Sequence, residues 1–394
     1  MNIGIVTDFF LNSGGGENFV QSELDTLKDL EEVYKNKINF FYITTNEESF
    51  SKLNKKYKNT IYFNKDGFLN RASLFLNTLE NIRKFVRKFK LNMFENFLKK
   101  KNINFLIFIT PSKLVYFCRN INFISTLWEL QHKTHPHLEE YKNIHFDLKE
   151  RDNIAKFISL YSYKILVGTS KSEEDFSKFY NCDKSRIVKK YTQSILVNKA
   201  KEIVNDKTDK QLKDYLFYPA QFWSHKNHMY IVDAFNEIKK KNINLKCVFT
   251  GSDKGYLNKI KDQIDKKHLN DFFVFYNYLP DDEIIKLYMN CKGVIIPSVV
   301  GTYTFPHIEA FYFKKIVFSC VENLDPEFKK RVVPIDLQDP KSLLKRYEEF
   351  FNKKDEGIDK LLVSNKDFHE KNFSSEINLN IYKTLINKYL QGIT

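Results

Sequence analysis

The sequence is poor in cysteine, and its few cysteines are badly placed for pairing or for metal binding. Its 394 residues contain five cysteines, an odd number with wide and irregular spacing. No CxxC pair occurs, so neither a disulfide framework nor a zinc site of that kind is indicated. The cysteines are Cys118, Cys182, Cys247, Cys291 and Cys320. This pattern fits a protein of a reducing cytosol.

The sequence also lacks an apolar run near the ~20 residues that a membrane-spanning helix needs. Its first residues, MNIGIVTDFF, are typical of a strand and do not show the charged and apolar regions of a secretory signal peptide. We therefore expect a cytoplasmic protein that is soluble or peripheral to a membrane.

Charge is unbalanced, because 63 Lys and Arg residues against 49 Asp and Glu residues give a formal net charge of +14. Such a charge suits an anionic partner: nucleic acid, a phosphate-bearing ligand or an acidic membrane surface. The excess of lysine residues is equally compatible with an ordinary solvated surface that binds no anionic partner. Zinc-finger spacing, RNP-type aromatic strands and basic-leucine patterns are missing from the sequence, so we do not expect nucleic acid as a partner.

Length and hydrophobic patterning predict two α/β domains. A chain of 394 residues is longer than a single domain of ordinary size and suits two domains, each with its own hydrophobic core. Runs of β-branched and aromatic residues alternate with helical patterns, which is typical of doubly wound parallel sheets. The polar stretch 197–214 shows no apolar periodicity and is the predicted linker. We therefore assign residues 1–200 and 210–375 to two Rossmann-like domains.

The loops after the predicted strands carry the polar chemistry. The predicted strands lie in IGIVTDFF, INFFYIT, INFLIFIT, INFISTLWEL and KILVGTS, and then in YLFYPAQF, LKCVFTGS, FFVFYNYL, GVIIPS and KIVFSC. In open α/β sheets ligands bind at the carboxyl ends of strands, and two facing sheets favour a cleft between them. Loops such as SGGG, AQFWSHKNH, TGSDKG and VGTYTFPHIEA suit phosphate and hydroxyl groups better than an apolar ligand.

A glycine-rich turn follows the first strand. Gly14, Gly15 and Gly16 remove side chains where the backbone must turn sharply, and the helix predicted after them offers unpaired N–H groups to an anion. The apolar residues at helical spacing are Phe19, Val20, Leu24, Leu27 and Leu30. The same glycines are equally compatible with a tight turn that binds nothing.

The second domain resembles the GT-B glycosyltransferases, and within them the retaining enzymes of family 4. The resemblance lies in LFYPAQFWSHKNHMYIVDAFNEI, VFTGSDKGYLNKI and YNYLPDDEIIKLYMNCKGVIIPSVVGTYTFPHIEAF, which follow the order and spacing of that family's donor-binding domain. The first domain is similar more loosely, through GGGENF and STLWELQHKTHPHLEE. The resemblance implies two Rossmann-like domains around a central cleft. It also implies that residues 376–394 form a helix that crosses back to the first domain.

The resemblance implies a site for a nucleoside-diphosphate sugar, UDP- or GDP-linked. Of the family's two acidic residues eight apart, the second, which contacts the ribose, corresponds to Glu309, and the first position is Gly301 here. The family's diphosphate-binding arginine and lysine correspond to Gln221 and Lys226, so one cation is missing. The residues implied to bind the donor are Gly15, Gly16, Gln221, Lys226, Gly251, Ser252, Lys254, Thr302, Tyr303, Thr304, Phe305 and Glu309.

A histidine cluster in the first domain invites a metal hypothesis. His132, His135 and His137 are metal-ligating residue types, but their spacing is interrupted by Pro136 and does not repeat on one helical face. GT-B enzymes do not need a bound divalent metal. The resemblance therefore implies no metal and no cofactor beyond the donor substrate.

The resemblance further implies catalytic roles for Glu129, His132 and Lys226. Glu129 or His132 would orient or deprotonate the attacking hydroxyl of the acceptor, and Lys226 would stabilise the leaving diphosphate. Trp128 would form the floor of the acceptor site, although a buried structural role is equally compatible. Retention by attack from the face of the departing diphosphate needs no dedicated nucleophile, so none is assigned.

Residues 82–101 are predicted to form a basic amphipathic helix. Its apolar stripe is Ile82, Phe85, Val86, Phe89, Met93 and Phe97, and the basic residues mostly off that stripe are Arg83, Lys84, Arg87, Lys88 and Lys90. Such a helix can lie on an anionic leaflet. It is equally compatible with an ordinary helix packed on the first domain.

The resemblance therefore implies a metal-independent, retaining hexosyltransferase. It would move a sugar from a nucleoside diphosphate to a glycan or lipid-linked acceptor in bacterial cell-surface polysaccharide or glycoconjugate synthesis. One alternative is a non-catalytic relative that binds a sugar nucleotide or glycan and has lost turnover at Gly301 and Gln221. A sugar-nucleotide epimerase on the same scaffold is a second alternative.

Overall fold

The computed structural model describes residues 1–8, 15–78, 92–118, 120–142, 148–202, 214–352 and 356–392. The chain divides into two compact units. Unit 1 comprises Met1–His132, Asp147–Thr192 and Ser375–Thr394, and unit 2 comprises Lys133–Phe146 and Gln193–Ser374. The chain therefore changes unit at residues 192–193, ahead of the predicted linker 197–214. Residues 133–146, which the sequence assigned to the first domain, group with unit 2.

Unit 1 is built on a seven-stranded parallel sheet in the order β3-β2-β1-β4-β5-β6-β7. The strands are β1 (Asn2–Thr7), β2 (Asn39–Thr44), β3 (Thr60–Tyr62), β4 (Phe105–Phe108), β5 (Asn122–Leu127), β6 (Lys164–Val167) and β7 (Ile187–Lys189). Strand order reverses at β1, which pairs with both β2 and β4. The carboxyl ends of β1 and β4 therefore flank the crevice where such sheets bind ligands.

Unit 2 is built on a six-stranded parallel sheet in the order β10-β9-β8-β11-β12-β13. The strands are β8 (Tyr215–Pro219), β9 (Lys246–Thr250), β10 (Phe273–Tyr276), β11 (Gly293–Ile296), β12 (Ile316–Ser319) and β13 (Val333–Pro334). Here the order reverses between β8 and β11. Two parallel sheets with intervening helices confirm the predicted α/β, doubly wound class.

The sequence did not predict three short strands, β3, β7 and β13. Each has two or three residues and lies at the edge of its sheet. An edge strand pairs on one side only, and so short a run shows no readable periodicity. These strands depend on a neighbour that is already in place, which local sequence does not encode.

Helices connect the strands. In chain order they are α1 (Gly15–Val33), α2 (Glu47–Lys56), α3 (Phe68–Thr78), α4 (Met93–Lys100), α5 (Gln131–Thr134), α6 (Leu148–Tyr161), α7 (Ser170–Tyr180), α8 (Ile195–Glu202), α9 (His228–Lys240), α10 (Leu257–Lys266), α11 (Asp281–Asn290), α12 (Phe305–Tyr312), α13 (Pro326–Lys329), α14 (Lys341–Asn352), α15 (Glu356–Asn372) and α16 (Ser375–Leu390). Across the described residues, no helix is both long and apolar enough to span a bilayer.

The basic helix predicted over residues 82–101 lies largely outside the described residues, because positions 79–91 are not among them. Its last part corresponds to α4. Phe94 and Leu98 of α4 are buried in the core of unit 1, and Phe97 packs against that core. The described portion therefore behaves as an ordinary helix packed on its own domain.

The C-terminal helix α16 packs into the core of unit 1. The buried side chains that share this core include Leu24, Leu27, Tyr382, Leu385 and Ile386. The Tyr382 hydroxyl donates to Glu23 Oε2 over 2.6 Å, and Lys190 Nζ donates to the other oxygen of the same carboxylate. All three side chains are buried. A buried ion pair therefore joins α1 to the segment after β7, and a hydrogen bond from Tyr382 joins α16 to the same carboxylate.

Candidate functional site

In unit 2, the loops after β8 and β9 are joined through Gln221. Its Nε2 donates to Ser252 Oγ over 2.9 Å, and its Oε1 accepts from Trp223 Nε1 over 3.1 Å. The backbone N–H of Phe222 donates to the carbonyl of Ser252 over 3.1 Å. Both polar atoms of the Gln221 amide are thus engaged by neighbouring residues. Gln221 is therefore a neutral side chain, fixed by two hydrogen bonds, at the position where the family has a cation.

Gly251 allows these two loops to approach each other. A Cβ built at this position would collide with the carbonyl oxygen of Ala220, and the φ of Gly251 is +155°. The exposed Lys254 follows, with its Nζ 5.9 Å from the centre of the Trp223 ring. Gly251 and Ser252 therefore border the loop that carries Gln221, and Lys254 reaches the same loop through Trp223.

The loop after β8 also contacts the loop after β11. The backbone N–H of Val299 and the hydroxyl of Ser298 both donate to the carbonyl of His225, over 3.0 and 3.3 Å. Lys226 is the next residue, and its charge contributes to the lowered pKa of His307 in α12. The structure thus brings Lys226 close to the beginning of α12, the helix that carries Glu309.

Helix α12 begins with a capping box between Thr304 and His307. In this box the Thr304 side chain faces the His307 N–H, and the His307 side chain accepts from the Thr304 N–H at Nδ1 over 3.2 Å. The Thr304 Oγ1 lies 2.9 Å from the same Nδ1, and the His307 N–H also donates to the carbonyl of Thr304 over 3.0 Å. Just before it, Gly301 has a φ of +111°, a conformation that favours glycine. The N–H of Thr304, a residue implied to bind the donor, is therefore directed at His307.

His307 is buried and held at both ring nitrogens. Its Nε2 lies 3.1 Å from Ser319 Oγ, which lies 3.1 Å from the carbonyl of Ile296. Because the backbone N–H of Thr304 can only donate, Nδ1 must accept, and the ring proton belongs on Nε2. Burial, together with the charge of Lys226, lowers the pKa of His307 to about 3. The imidazole is therefore neutral at physiological pH.

Glu309 lies in the second turn of α12, and its side chain is buried. Oε1 accepts from the hydroxyl of Ser194 over 2.7 Å, and Oε2 accepts from the hydroxyl of Tyr288 over 2.6 Å. Burial raises the pKa of the carboxyl above its usual range, while these two hydrogen bonds act to lower it. Each oxygen retains a second lone pair that a ligand hydroxyl could use.

The rest of the predicted donor loop, residues 302–305, is held by contacts with the segment after β12. The carbonyl of Thr302 accepts from the N–H of Asp325 over 2.9 Å. The Tyr303 ring stacks on Phe328 with 5.0 Å between ring centres. Phe305 is the first residue of α12. The loop is therefore anchored to the segment after β12.

In unit 1, Glu129 is paired with an arginine. Its Oε1 accepts from Arg151 Nη1 over 3.0 Å, and its Oε2 accepts from the backbone N–H of Gln131 at the beginning of α5. Burial raises the pKa of the Glu129 carboxyl, and Gln131 and Arg151 act to lower it. The side chain thus helps to fix the short helix that carries His132.

His132 is buried near a tyrosine and an aspartate of unit 1. Its Nε2 lies 3.5 Å from Tyr180 Oη and 3.9 Å from Asp152 Oδ1, and Tyr180 donates to the same Asp152 oxygen over 2.7 Å. His135 groups with unit 2 instead, where its Nε2 lies 3.3 Å from Asn323 Nδ2. The structure divides the histidine cluster between the two units. Within the described ranges, no group of three or more His, Cys, Asp or Glu side chains could hold a metal ion.

Gly15 and Gly16 form the first turn of α1, and Gly14 lies outside the described residues. Nearby in the sheet, Asp8 forms a polar network that the sequence did not reveal, at the carboxyl ends of β1, β2 and β4. It accepts hydrogen bonds from Lys65 Nζ over 2.7 Å, from Ser112 Oγ over 2.7 Å and from the hydroxyl of Thr45. This network borders the crevice of unit 1.

The fold and these loops can be compared with known proteins. Residues 199–327 match the family model described as glycosyl transferases group 1. That range contains the loops after β8, β9 and β11. A search of curated proteins finds no sequence match.

Solved structures match the whole chain. A glycosyltransferase from Rickettsia africae shares 16% identity at a TM-score of 0.69, covering 98% of each chain. Anabaena HepE in complex with UDP shares 13% identity at a TM-score of 0.71, covering 98% of this chain and all of that one. The fold is that of the GT-B glycosyltransferases. Sucrose-phosphate synthase from Thermosynechococcus elongatus, with 14% identity and a TM-score of 0.71 over 99% of both chains, has the same fold. The family match supports sugar transfer as the chemistry of this GT-B protein.

Three residues of the candidate site were missed at the level of sequence: His307, Ser194 and Tyr288. For His307 a signal was present, because a threonine followed three residues later by a side-chain acceptor is the pattern of a capping box. For Ser194 and Tyr288 none was available. They lie 115 and 21 positions from Glu309, and only the folded chain brings them to it.

Proposed function

We propose that this protein is a retaining glycosyltransferase that moves a hexose from a nucleoside diphosphate to a glycan or lipid-linked acceptor. The observation that carries the proposal is the coincidence of two independent features of unit 2. The family match over residues 199–327 contains the loops after β8, β9 and β11, and the structure joins those same loops through Gln221, Ser252 and His225. Cell-surface polysaccharide or glycoconjugate synthesis is the proposed setting.

The proposed donor is a UDP- or GDP-linked sugar bound by unit 2. The complex of HepE with UDP supports a uridine nucleotide. Lys226 would stabilise the negative charge that develops on the leaving diphosphate, because a preformed cation needs no reorganisation during the reaction. Gln221 can supply only a dipole in place of a second cation. The proposed reaction is accordingly metal-independent but slower than one served by two cations.

Glu309 is the proposed partner of the ribose. Its two oxygens are already oriented by Ser194 and Tyr288, and each retains an acceptor site for a vicinal hydroxyl pair. The backbone of Thr302–Phe305 would line the diphosphate or the sugar. Since the Thr304 N–H is engaged by His307, the remaining contacts in this loop must come from its other residues.

The acceptor is proposed to bind unit 1, where Glu129 or His132 would orient its hydroxyl. In the reaction the bond between the anomeric carbon and the diphosphate oxygen breaks, and the acceptor oxygen forms the new bond on the same face. The acceptor's proton passes to an oxygen of the departing diphosphate. No protein nucleophile is needed for this step.

We also propose that unit 1 attaches to an anionic leaflet. Helix α3 exposes three large apolar side chains, Phe68, Leu69 and Phe75, with exposed fractions of 85%, 65% and 63%. The next residues, 79–91, contain five Lys or Arg and one Glu in sequence. Exposed aromatic residues, followed in the sequence by a run of positive charge, favour the interface of an anionic membrane. Sedimentation with phosphatidylglycerol vesicles should fall for Phe68→Ser with Phe75→Ser, and not for Tyr278→Ser, an exposed tyrosine of unit 2.

The experiment that tests the proposed function is release of free sugar from UDP-glucose, UDP-galactose and GDP-mannose, with and without EDTA. Slow, EDTA-resistant hydrolysis of one donor supports the glycosyltransferase. Binding of a nucleotide without turnover, even with lipid-linked acceptors supplied, favours the non-catalytic alternative, to which Gly301 and Gln221 point. Formation of an epimeric sugar nucleotide without an acceptor would identify an epimerase.

A further inference from the structure

We propose that His307 is a positioning residue for the donor: it fixes the conformation of residues 302–305 by joining the beginning of α12 to the end of β12. This inference rests on the proposed function, since it assigns a role within the same donor site. No feature of the family match singles out this residue. The role follows from four hydrogen-bonding atoms: Nδ1 and Nε2 of His307, and the backbone nitrogen and Oγ1 of Thr304.

The hydrogen bonds around the imidazole run in one direction. The Thr304 N–H donates to Nδ1, Nε2–H donates to Ser319 Oγ, and the Ser319 hydroxyl donates to the carbonyl of Ile296. Ile296 and Ser319 end two adjacent paired strands, β11 and β12. The loop backbone is thereby tied through one side chain to the rigid sheet, which is how a binding loop is held in a productive geometry.

The same arrangement determines which backbone groups of the helix start can meet an anion. The N–H groups of Thr304 and His307 are used within the capping box, and Pro306 has none. Of residues 304–307, all of which the structure describes, Phe305 alone keeps an N–H for a ligand. A diphosphate at this helix start therefore depends on the orientation of one amide, which makes the placement of Thr304 more critical than in a helix with three donors.

Neutrality of His307 suits this position. Lys226 lies near enough to disfavour a second positive charge, and burial acts in the same direction. A charged imidazole here would have to be desolvated beside the positive charge of Lys226. A neutral imidazole instead keeps one fixed proton arrangement across the pH range in which the enzyme would work.

Two variants of His307 and one control test the inference. In His307→Gln, the amide oxygen can still accept from the Thr304 N–H, as glutamine does in ordinary capping boxes. In His307→Leu, the acceptor is lost and the volume is retained. Ile308→Val removes a methylene from the fully buried neighbour and serves as a control for loss of stability without loss of the cap.

Calorimetric titration with UDP should give a Kd about tenfold higher for His307→Leu than for the native protein, and within about threefold of native for His307→Gln and Ile308→Val. Amide hydrogen exchange of peptides covering residues 301–306, measured without nucleotide, should accelerate in His307→Leu only. Equal UDP affinity and equal exchange in His307→Leu and Ile308→Val would overturn the inference. If the native protein binds no nucleotide, the proposed function fails, and the exchange experiment still decides whether His307 fixes the loop.

Discussion

The hydroxyl of Ser194 donates a 2.7 Å hydrogen bond to Glu309, a residue 115 positions further along the chain. Ser194 lies two residues after the point where the chain passes from unit 1 to unit 2. Glu309 belongs to the helix that follows the proposed donor loop. Within unit 2, the segment that enters the unit is thus hydrogen-bonded to the same carboxylate that we propose to bind the ribose.

Glu309→Gln should weaken UDP binding about tenfold and also lower the free energy of unfolding by about 1–3 kcal/mol. The amide retains one acceptor oxygen, so one of the two hydroxyl donors, Ser194 or Tyr288, loses its partner. Calorimetry with UDP and urea unfolding measure the two effects separately. Glu327→Gln, a control at a partly exposed carboxylate of the same unit, should change neither. Native UDP affinity in Glu309→Gln would contradict the ribose assignment.

The stability contributed by Glu309 should depend on pH in a defined direction. Its carboxyl pKa is raised above 4.5 in the folded protein, mainly by burial. The folded state therefore holds the proton to a higher pH than the unfolded state. The associated stability is present below the unfolded value and is lost as pH rises through the folded pKa. Urea unfolding from pH 4 to pH 7 should show the native protein losing stability relative to Glu309→Gln; a constant difference would show that the carboxyl does not titrate this way.

Lys226→Met should reduce donor hydrolysis about a hundredfold or more, because removal of one preorganised group at the developing charge costs about 10²–10³ in kcat. The proposed site already has Gln221 in place of a second cation. Lys240→Met, a control at an exposed lysine paired with Glu237, should retain native activity. Equal rates for the two variants would remove Lys226 from the mechanism.

Gly251→Ala should lower the free energy of unfolding by about 1–3 kcal/mol and weaken UDP binding. The added methyl collides with the carbonyl of Ala220 and separates the loops that Gln221 and Ser252 join. Gly255→Ala is a matched control in the same loop: its φ is +92°, but a Cβ there meets nothing within 4 Å. That variant should cost about 1 kcal/mol from backbone conformation and leave UDP affinity unchanged. Equal UDP affinities for the two alanine variants would show that close packing at Gly251 is irrelevant to the site.

Lys190→Met should lower the free energy of unfolding by about 3–5 kcal/mol, because it leaves the carboxylate of Glu23 buried without its cation. The double variant with Glu23→Leu should recover part of this loss, since both charges are then removed. Urea unfolding compares the single and double variants with the native protein. A single variant that is as stable as the double would show that Glu23 reaches solvent or another partner when Lys190 is absent.

Much of the fold was predictable from the sequence because the central strands are recognisable as short apolar runs. Runs such as GVII at residues 293–296 and FLIF at residues 105–108 are apolar throughout, as strands buried on both faces must be. Their order along the chain, with helical patterns between them, identifies the parallel sheets. The two units and the loops after the strands follow from that pattern.

The partners of buried polar residues were not predictable in the same way. Glu23 is an unremarkable residue in the sequence of a helix, yet it meets Lys190 and Tyr382, which lie 167 and 359 positions away. Glu129 was expected to face an acceptor, and the structure adds the partner Arg151, which lies 22 positions further on. Hydrophobic periodicity reports which face of an element is buried and does not report which element covers it.

The measurement that tests the central claim most directly is calorimetric titration of the native protein with UDP, GDP and ADP in the presence of EDTA. The account predicts metal-independent binding of UDP or GDP, at the site formed by Lys226, Glu309 and the loop of residues 302–305, and loss of most of that affinity in Glu309→Gln. Absence of binding to all three nucleotides, with a folded protein, would contradict it.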